Sequence, residues 1–394
     1  MINFNVPALT GKEQKYIAQA LKAGKFSGDG PFTKKCQEWL ERKTGAKKVL
    51  LTTSGTHALD MAAILSGVKK GDEVIMASYT FSSTANAFAL RGAKLVFVDI
   101  RPDTMNIDER LIEKAITKRT RVIVVMHNGG IACEMDKIMA IAKKHKLIII
   151  EDAAHAVMAK YKNRPLGTIG DIGCFSFHET KNLNSGEGGA ILLNDHRLVE
   201  RAEVIREKGT NRSRFLRGEV DKYTWVDEGS SYLMSEYGAA VLDSQLQSFA
   251  EIQTRRFAVW NAYAEHLADW ADAQGVTLMR VPDDRTHTAH LFYLRMPTHG
   301  EQVRMLSHLR SLGVVGTFHY VPLDTAPAGL RFGRTLRPLT QSKAFSEEIV
   351  RLPLWAGMTD GQVERVLAAV QSFVVEPQSL LTAVENPRDE VRAG

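Results

Sequence analysis

Lys181 sits in the stretch Gly173-Cys-Phe-Ser-Phe-His-Glu-Thr-Lys-Asn-Leu-Asn-Ser-Gly-Glu-Gly-Gly189, where a short apolar run, Cys174 to Phe177, gives way to a turn and then to the loop Gly186-Glu187-Gly188-Gly189. A lysine at a strand end, with glycine backbone free to approach it, suits an amine that attacks a carbonyl. Lysine is the usual Schiff-base nucleophile, and its pKa falls readily when water is excluded. The alternative is a solvated loop lysine, the ordinary fate of a lysine taken alone. The neighbouring groups must decide between the two.

Five other groups have types and placements that could do chemistry. Ser54-Gly55-Thr56 precedes a run in which Ala58, Leu59, Met61, Ala62, Ala63, Ile64 and Leu65 are apolar nearly all round a helix. The free N–H groups and positive dipole end of such a helix make a phosphate site, although an ordinary N-cap looks the same. Asp152 closes the run Leu147-Ile-Ile-Ile-Glu-Asp152. There it either stays exposed at a sheet edge or pairs with a protonated heterocyclic nitrogen and holds that proton in place. His155 is either a core or rim histidine or a hydrogen-bond partner for a phenolic oxygen. Phe81 follows the strand Val74 to Met76 and either stacks on a ring or simply packs. Ser176, inside the strand before Lys181, carries a hydroxyl that needs a partner. Together these are the parts that pyridoxal phosphate (PLP) requires: a phosphate cradle, a ring-stacking aromatic, a carboxylate for the pyridine nitrogen and a lysine for the aldehyde.

Other chemistries find no support. Gly28-Asp29-Gly30 and Gly186 to Gly189 match neither the dinucleotide fingerprint nor the P-loop. There is no H-E-x-x-H, no clustered Cys/His set and no G-x-S-x-G elbow, so no metal is expected. The formal net charge is +6, and Arg201, Arg206, Lys208, Arg212, Arg214 and Arg217 contribute to it within 17 positions. No nucleic-acid motif accompanies them. They form either a solvated helix face or an electrostatic lure for an anionic small substrate. The N-terminus lacks a basic start and an apolar core, and no run of about 18 apolar residues occurs, so neither a signal peptide nor a membrane span is expected. The scattered Cys36, Cys133 and Cys174 point to a reducing cytoplasm.

The elements that must position these groups alternate. Val74–Met76, Lys94–Asp99, Arg121–Met126 and Leu147–Asp152 read as short, nearly all-apolar strands separated by amphipathic helices such as Ser83–Leu90. That pattern predicts an α/β fold with a mostly parallel sheet covered on both faces. Ligands bind at the carboxyl ends of such strands, which places Asp99, Asp152 and the loop after Phe177 on the ligand edge. Residues 1–249 are expected to form this large domain, N-terminal segment included. A smaller α+β domain is expected over 250–375, with a long helix marked by Phe257, Trp260, Ala264 and Leu267. Strands at His290–Met296 and Val315–Val321 and helices near Glu301–Leu312 and Gly361–Phe373 complete it. The charged tail from Glu376 onward is expected to be mobile.

The chain resembles the DegT/DnrJ family of sugar aminotransferases, and within it the dTDP-4-amino-4,6-dideoxygalactose transaminases, from about residue 3 to about residue 374. Phe32-Thr33, Gly71 to Met76, Arg101 to Asp108, Cys174 to Lys181, Gly186 to Gly189, Arg206 to Ser213 and Asp221 to Trp225 carry the resemblance. It implies the type I aminotransferase fold and a homodimer with composite active sites. Lys181 would be the Schiff-base lysine and Asp152 the partner of the pyridine nitrogen. Phe81 would stack on the ring, while Ser54, Gly55, Thr56 and Ser176 would hold the phosphate. His155 stands where many members have glutamine. Ser231, contributed by the neighbouring subunit, stands where most have asparagine. Asn128 and Asp324 replace the tyrosine and histidine common in the subgroup. With Arg212, His319 and Tyr320 they are the expected substrate contacts.

The implied reaction moves an amino group from L-glutamate to the 4-keto carbon of a dTDP-4-keto-6-deoxyhexose, with PLP and its amino form as carriers. Two rivals remain. A sugar-nucleotide dehydratase of the same fold would carry histidine in place of Lys181. A regulatory protein would bind the cofactor without turnover.

Overall fold

The computed structural model describes residues 1–376. The tail expected to be mobile lies, from residue 377 on, outside the described residues.

Eight strands form the central sheet. In chain order they are Lys48–Thr52 (β1), Glu73–Ala77 (β2), Lys94–Val98 (β3), Thr120–Met126 (β4), Ile148–Asp152 (β5), Ile172–Ser176 (β6), Gly189–Leu193 (β7) and Gly333–Thr335 (β8). Their spatial order is β1-β7-β6-β5-β4-β2-β3-β8. Only β7 runs against its neighbours; the others are parallel. The strands are buried almost throughout, because helices cover both faces and every side chain must be apolar or satisfied. One apolar layer joins Val49, Ile75, Val125 and Phe175 to the helix Pro31–Thr44; the other joins Leu50, Met76, Ile150 and Ile191 to the helix Gly55–Leu65.

A second apolar core lies beyond residue 250. The strands Thr277–Leu278, Tyr293–Arg295 and Ile349–Arg351 pair antiparallel, flanked by the helices Phe249–His266, His299–Ser311 and Asp360–Gln371. Tyr263, Phe292, Leu294, Met305, Val350 and Val366 fill the space between them. Two segments cross the division expected at residue 249/250. β8 joins the large sheet beside β3, and Ile2 packs into the C-terminal core with its amide donating to Gly313 O at 2.7 Å.

Two expected features differ. The segment 315–321 is no strand. After a single bridge between Thr317 and Arg351, its backbone turns toward the large sheet, where the Tyr79 hydroxyl donates to His319 O. Asp99 follows β3 at the carboxyl edge, but its side chain is not free to meet a ligand. Its carboxylate is buried and accepts from the amides of Gln341 and Ser342 at 2.9 and 2.8 Å, capping the helix Thr340–Glu348.

Candidate active site

Because β1, β2, β5 and β6 point the same way, their carboxyl ends share one edge, and the loops leaving them converge there. Ser54 follows β1, Phe81 follows β2, Asp152 ends β5, and Ser176 ends β6 with Lys181 in the following turn. All of them line one cavity of about 550 Å³, together with Gly55, Thr56, His155, His319 and Tyr320. A separate cavity of about 530 Å³, between the helices Phe249–His266 and Asp360–Gln371, contains none of these groups.

The start of the helix Gly55–Leu65 is built for close approach. Ser54 is its N-cap, with Oγ accepting from the His57 amide at 3.1 Å. Gly189 opens β7 between Thr52 and Ser176, and a Cβ on it would lie 2.4 Å from the Ser54 carbonyl carbon. A Cβ on Gly55 would lie 2.8 Å from the Ser176 Cβ. The missing side chains bring the Ser54, Thr56 and Ser176 hydroxyls and the helix-start amides around one small space. That donor set fits a phosphate. Thr56 Oγ1 also reaches Ser83 Oγ at 2.8 Å.

Asp152 is buried. The Thr84 hydroxyl donates to Oδ2 at 2.6 Å, and the Ala154 amide donates to Oδ1 at 3.2 Å. These bonds fix the carboxylate plane and leave its charge facing the cavity. Lys181 is half-buried. Burial pushes its amine down to about 8, with Asp152 pulling the other way and Arg351 adding to the fall.

His155 is buried and stacks on His290, with centroids 4.0 Å apart. The Gly129 amide donates to His155 Nδ1 at 3.3 Å, so the ring proton sits on Nε2, which faces the Tyr320 hydroxyl at 3.4 Å. Burial holds His155 well below its usual range, and the charges of Lys181 and Arg351 reinforce this. A neutral imidazole donating from Nε2 suits a phenolic oxygen. Phe81, at the N-cap of Ser82–Ala89, is exposed at the mouth, 6.2 Å from the Tyr320 ring.

The remaining expected residues do not line the cavity of the single chain. Asn128 is buried behind it, its amide donating to Asn106 Oδ1 at 2.9 Å. Asp324 is engaged with Ser78, whose Oγ accepts from the Asp324 amide at 2.9 Å. Ser231 bridges Glu207 on the outer side of the large domain. Arg212 pairs with Glu207 at 3.1 Å. Its basic neighbours are likewise matched, Arg201 with Asp227, Arg206 with Asp29, Arg214 with Glu200 and Arg217 with Glu203. The charge run is therefore locally balanced, which weakens its reading as a lure.

The cavity also contains two groups that the sequence reading missed, His290 and Arg351. Asn182, next to Lys181, donates to Thr288 O at 2.7 Å, and its Oδ1 accepts from His290 Nδ1 at 2.9 Å. The lysine turn is thus tied to the C-terminal unit. Arg351 had a visible signal, a lone cation in the apolar run Ile349-Val-Arg-Leu-Pro-Leu354.

A seven-to-one parallel sheet with a lysine, a carboxylate and an anion cradle at its carboxyl edge defines a type I aminotransferase, and solved structures share the fold. Among them is a putative sugar aminotransferase, Spr1654, from Streptococcus pneumoniae. Its PMP form has a TM-score of 0.87 and 25% identity, covering 94% of this chain and 98% of that one. The profile of the DegT/DnrJ/EryC1/StrS aminotransferase family matches residues 7–371, and the chain belongs to that family. It is 32% identical to the spore coat polysaccharide biosynthesis protein SpsC of Bacillus subtilis, over 94% of this chain and 96% of that one. It is 31% identical to the GDP-perosamine synthase of Caulobacter vibrioides, over 95% and 98% of the two chains.

Proposed function

We propose that this aminotransferase moves an amino group from L-glutamate to the 4-keto carbon of a dTDP-4-keto-6-deoxyhexose, as the dTDP-4-amino-4,6-dideoxygalactose transaminases do. The observation that carries the amino-transfer part is the convergence of Lys181, Asp152 and the Ser54–Thr56/Ser176 cradle on one cavity. The sugar-nucleotide part is supported by the family and by relatives such as GDP-perosamine synthase. The choice of dTDP and a 6-deoxyhexose rests on the motifs quoted above.

PLP, when bound, supplies a protonated ring that takes up the electron pair released at the amino acid's α-carbon. The Ser54, Thr56 and Ser176 hydroxyls and the amides of the helix start would hold its phosphate. Asp152, fixed by Thr84, would keep the proton on the ring nitrogen. His155 Nε2 would donate to the ring oxygen and Phe81 would cover one ring face. Lys181 Nζ moves the proton, taking it from the α-carbon as base and returning it as acid. An amine at about 8 is about one-tenth neutral at pH 7, against well under a thousandth at its ordinary value. A homodimer in which Ser231 of one protomer completes the other's phosphate site fits the exposed position of its segment. A dehydratase with histidine at this position is disfavoured by Lys181 itself.

The test is incubation with L-glutamate and dTDP-4-keto-6-deoxyglucose, followed by NMR of the product. A 4-amino sugar with stoichiometric 2-oxoglutarate is expected, and the C4 proton couplings give its configuration. No amino sugar would overturn the substrate assignment. Cofactor binding without turnover of any keto sugar would favour the regulatory reading.

A further inference from the structure

We propose that His290 is a positioning residue for amino transfer: its bond to Asn182 ties the turn that carries Lys181 to the C-terminal unit. The inference rests on the transaminase reading above and adds the group that holds the lysine in register.

His290 is 8% exposed and lines the cavity of Lys181. Asn182 Nδ2 donates to Thr288 O, so Asn182 Oδ1 is the acceptor and the proton of His290 sits on Nδ1. That bond reaches from the residue after Lys181 to one 108 positions away. The same segment also grips His155. The His290 ring covers the His155 imidazole with the planes 26° apart, and the Thr288 hydroxyl donates to His155 O at 2.7 Å. A Cβ on Gly130 would lie 2.4 Å from that hydroxyl and 2.7 Å from His155 O, so the glycine makes the approach possible.

The backbone around His290 is held for this placement. Ala289 has φ of 47°, in the left-handed region that an L-residue adopts only at a cost. Arg256, itself buried, donates to Ala289 O at 3.0 Å and to His290 O at 2.8 Å. An apolar ring would fill the same volume without a polar atom to satisfy. Burial, reinforced by the charges of His155, Lys181, Arg256 and Arg351, holds His290 well below its usual range. The neutral ring therefore supplies a directed hydrogen bond rather than a charge. Lys181 stands on the loop between β6 and β7, where nothing in the sheet fixes its angle to the cavity. Misplacing a reacting group by about 1 Å costs on the order of 100-fold in rate, which gives such a tie its value.

Two variants break the bond from opposite sides. His290→Phe keeps a flat ring against His155 and loses the donor. Asn182→Ala loses the acceptor, while Gln253 Nε2 still donates to Thr288 O. Each should slow single-turnover release of 2-oxoglutarate from L-glutamate by the PLP-loaded enzyme about 10- to 100-fold at saturation. The half-saturating glutamate concentration should stay within about twofold. The double variant should be no slower than the slower single one to within about twofold, because one bond can be lost only once. In the apoprotein, aldehyde capture by Lys181 is read by borohydride trapping and mass spectrometry across the pH range. Its midpoint should rise above about 8 in each variant, as the loosened turn lets water reach the amine. If His290→Phe misfolds, Asn182→Ala carries the test through the same rate and midpoint. Parent rates overturn the proposal, as does a capture midpoint that stays at about 8. Losses that multiply in the double variant overturn it too, since they would make the two residues separate packing contacts. Wild type that releases no 2-oxoglutarate would strike the transaminase reading alone, because the capture midpoint is read without cofactor or substrate.

Discussion

Gly55 and Ser176 stand so close that a Cβ on the glycine would lie 2.8 Å from the Cβ of the serine. The contact joins the end of β1 to the end of β6, although 120 residues separate them in the chain. It brings the helix start and the Ser176 hydroxyl to the same cavity.

Gly55→Ala must push these two strand ends apart. Overpacking of this kind costs about 1–3 kcal/mol. The dissociation constant for PLP should rise about tenfold or more, because the displaced atoms are the phosphate donors. Titration of apoprotein by fluorescence checks this. Unchanged affinity would mean that the phosphate is held elsewhere.

Asp152→Asn keeps an oxygen to accept from Thr84 but removes the charge. Asp152 holds the Lys181 pKa up, so its neutralisation should move that amine below about 8. The rate of amino transfer should fall by about 100-fold or more, the range for losing an electrostatic partner of the developing charge. The acidic limb of the pH profile should shift to lower pH. A shift to higher pH would show that the carboxylate does not face the lysine.

For the apoprotein, the rate at which Lys181 captures an aldehyde should rise with pH and level off above about 8. The sign for stability follows from the same depression. Between about 8 and the ordinary lysine value, the unfolded chain binds the extra proton, so stability gained from this group increases with pH across that window. Below about 8 the penalty for protonating Lys181 in the fold is constant. Capture rates measured from pH 6 to 11 test the first statement; a midpoint near the ordinary lysine value would contradict the burial argument.

Asp99→Ala should destabilise the fold by about 1–3 kcal/mol, since two amides and the Ser342 hydroxyl lose their buried acceptor. KM values should be unchanged. Thermal melting and steady-state kinetics separate the two. A changed KM without a lower Tm would make Asp99 a ligand contact.

Asp99 and Asp152 show how far the sequence could be read. Both close a run of four apolar residues at a strand end, Asp152 after an intervening Glu151, and nothing local says which of them meets a ligand. Thr340–Glu348, distant in sequence, takes up the first, and Thr84 orients the second. The parallel sheet was legible because doubly covered strands must be apolar throughout. Of the short strands of the C-terminal unit, Tyr293–Arg295 falls within the expected His290–Met296, whereas Thr277–Leu278 and Ile349–Arg351 were not legible, because pairings of two or three residues carry no period. Segment 315–321 has β-branched residues but finds no neighbouring strand beyond Thr317. Lys181, Asp152, Ser176 and the Ser54–Thr56 helix start were visible as types at strand ends. His290 was not, since its tie to Asn182 depends on how the C-terminal unit docks.

Lys181→Ala tests the central claim most directly. The purified variant should keep the wild-type circular dichroism and melting behaviour to within a few degrees. It should lack the yellow absorbance of the cofactor-loaded enzyme and should form no 2-oxoglutarate from L-glutamate in the presence of a keto sugar. Transamination at the parent rate would contradict the assignment of Lys181 as the residue that carries the amino transfer.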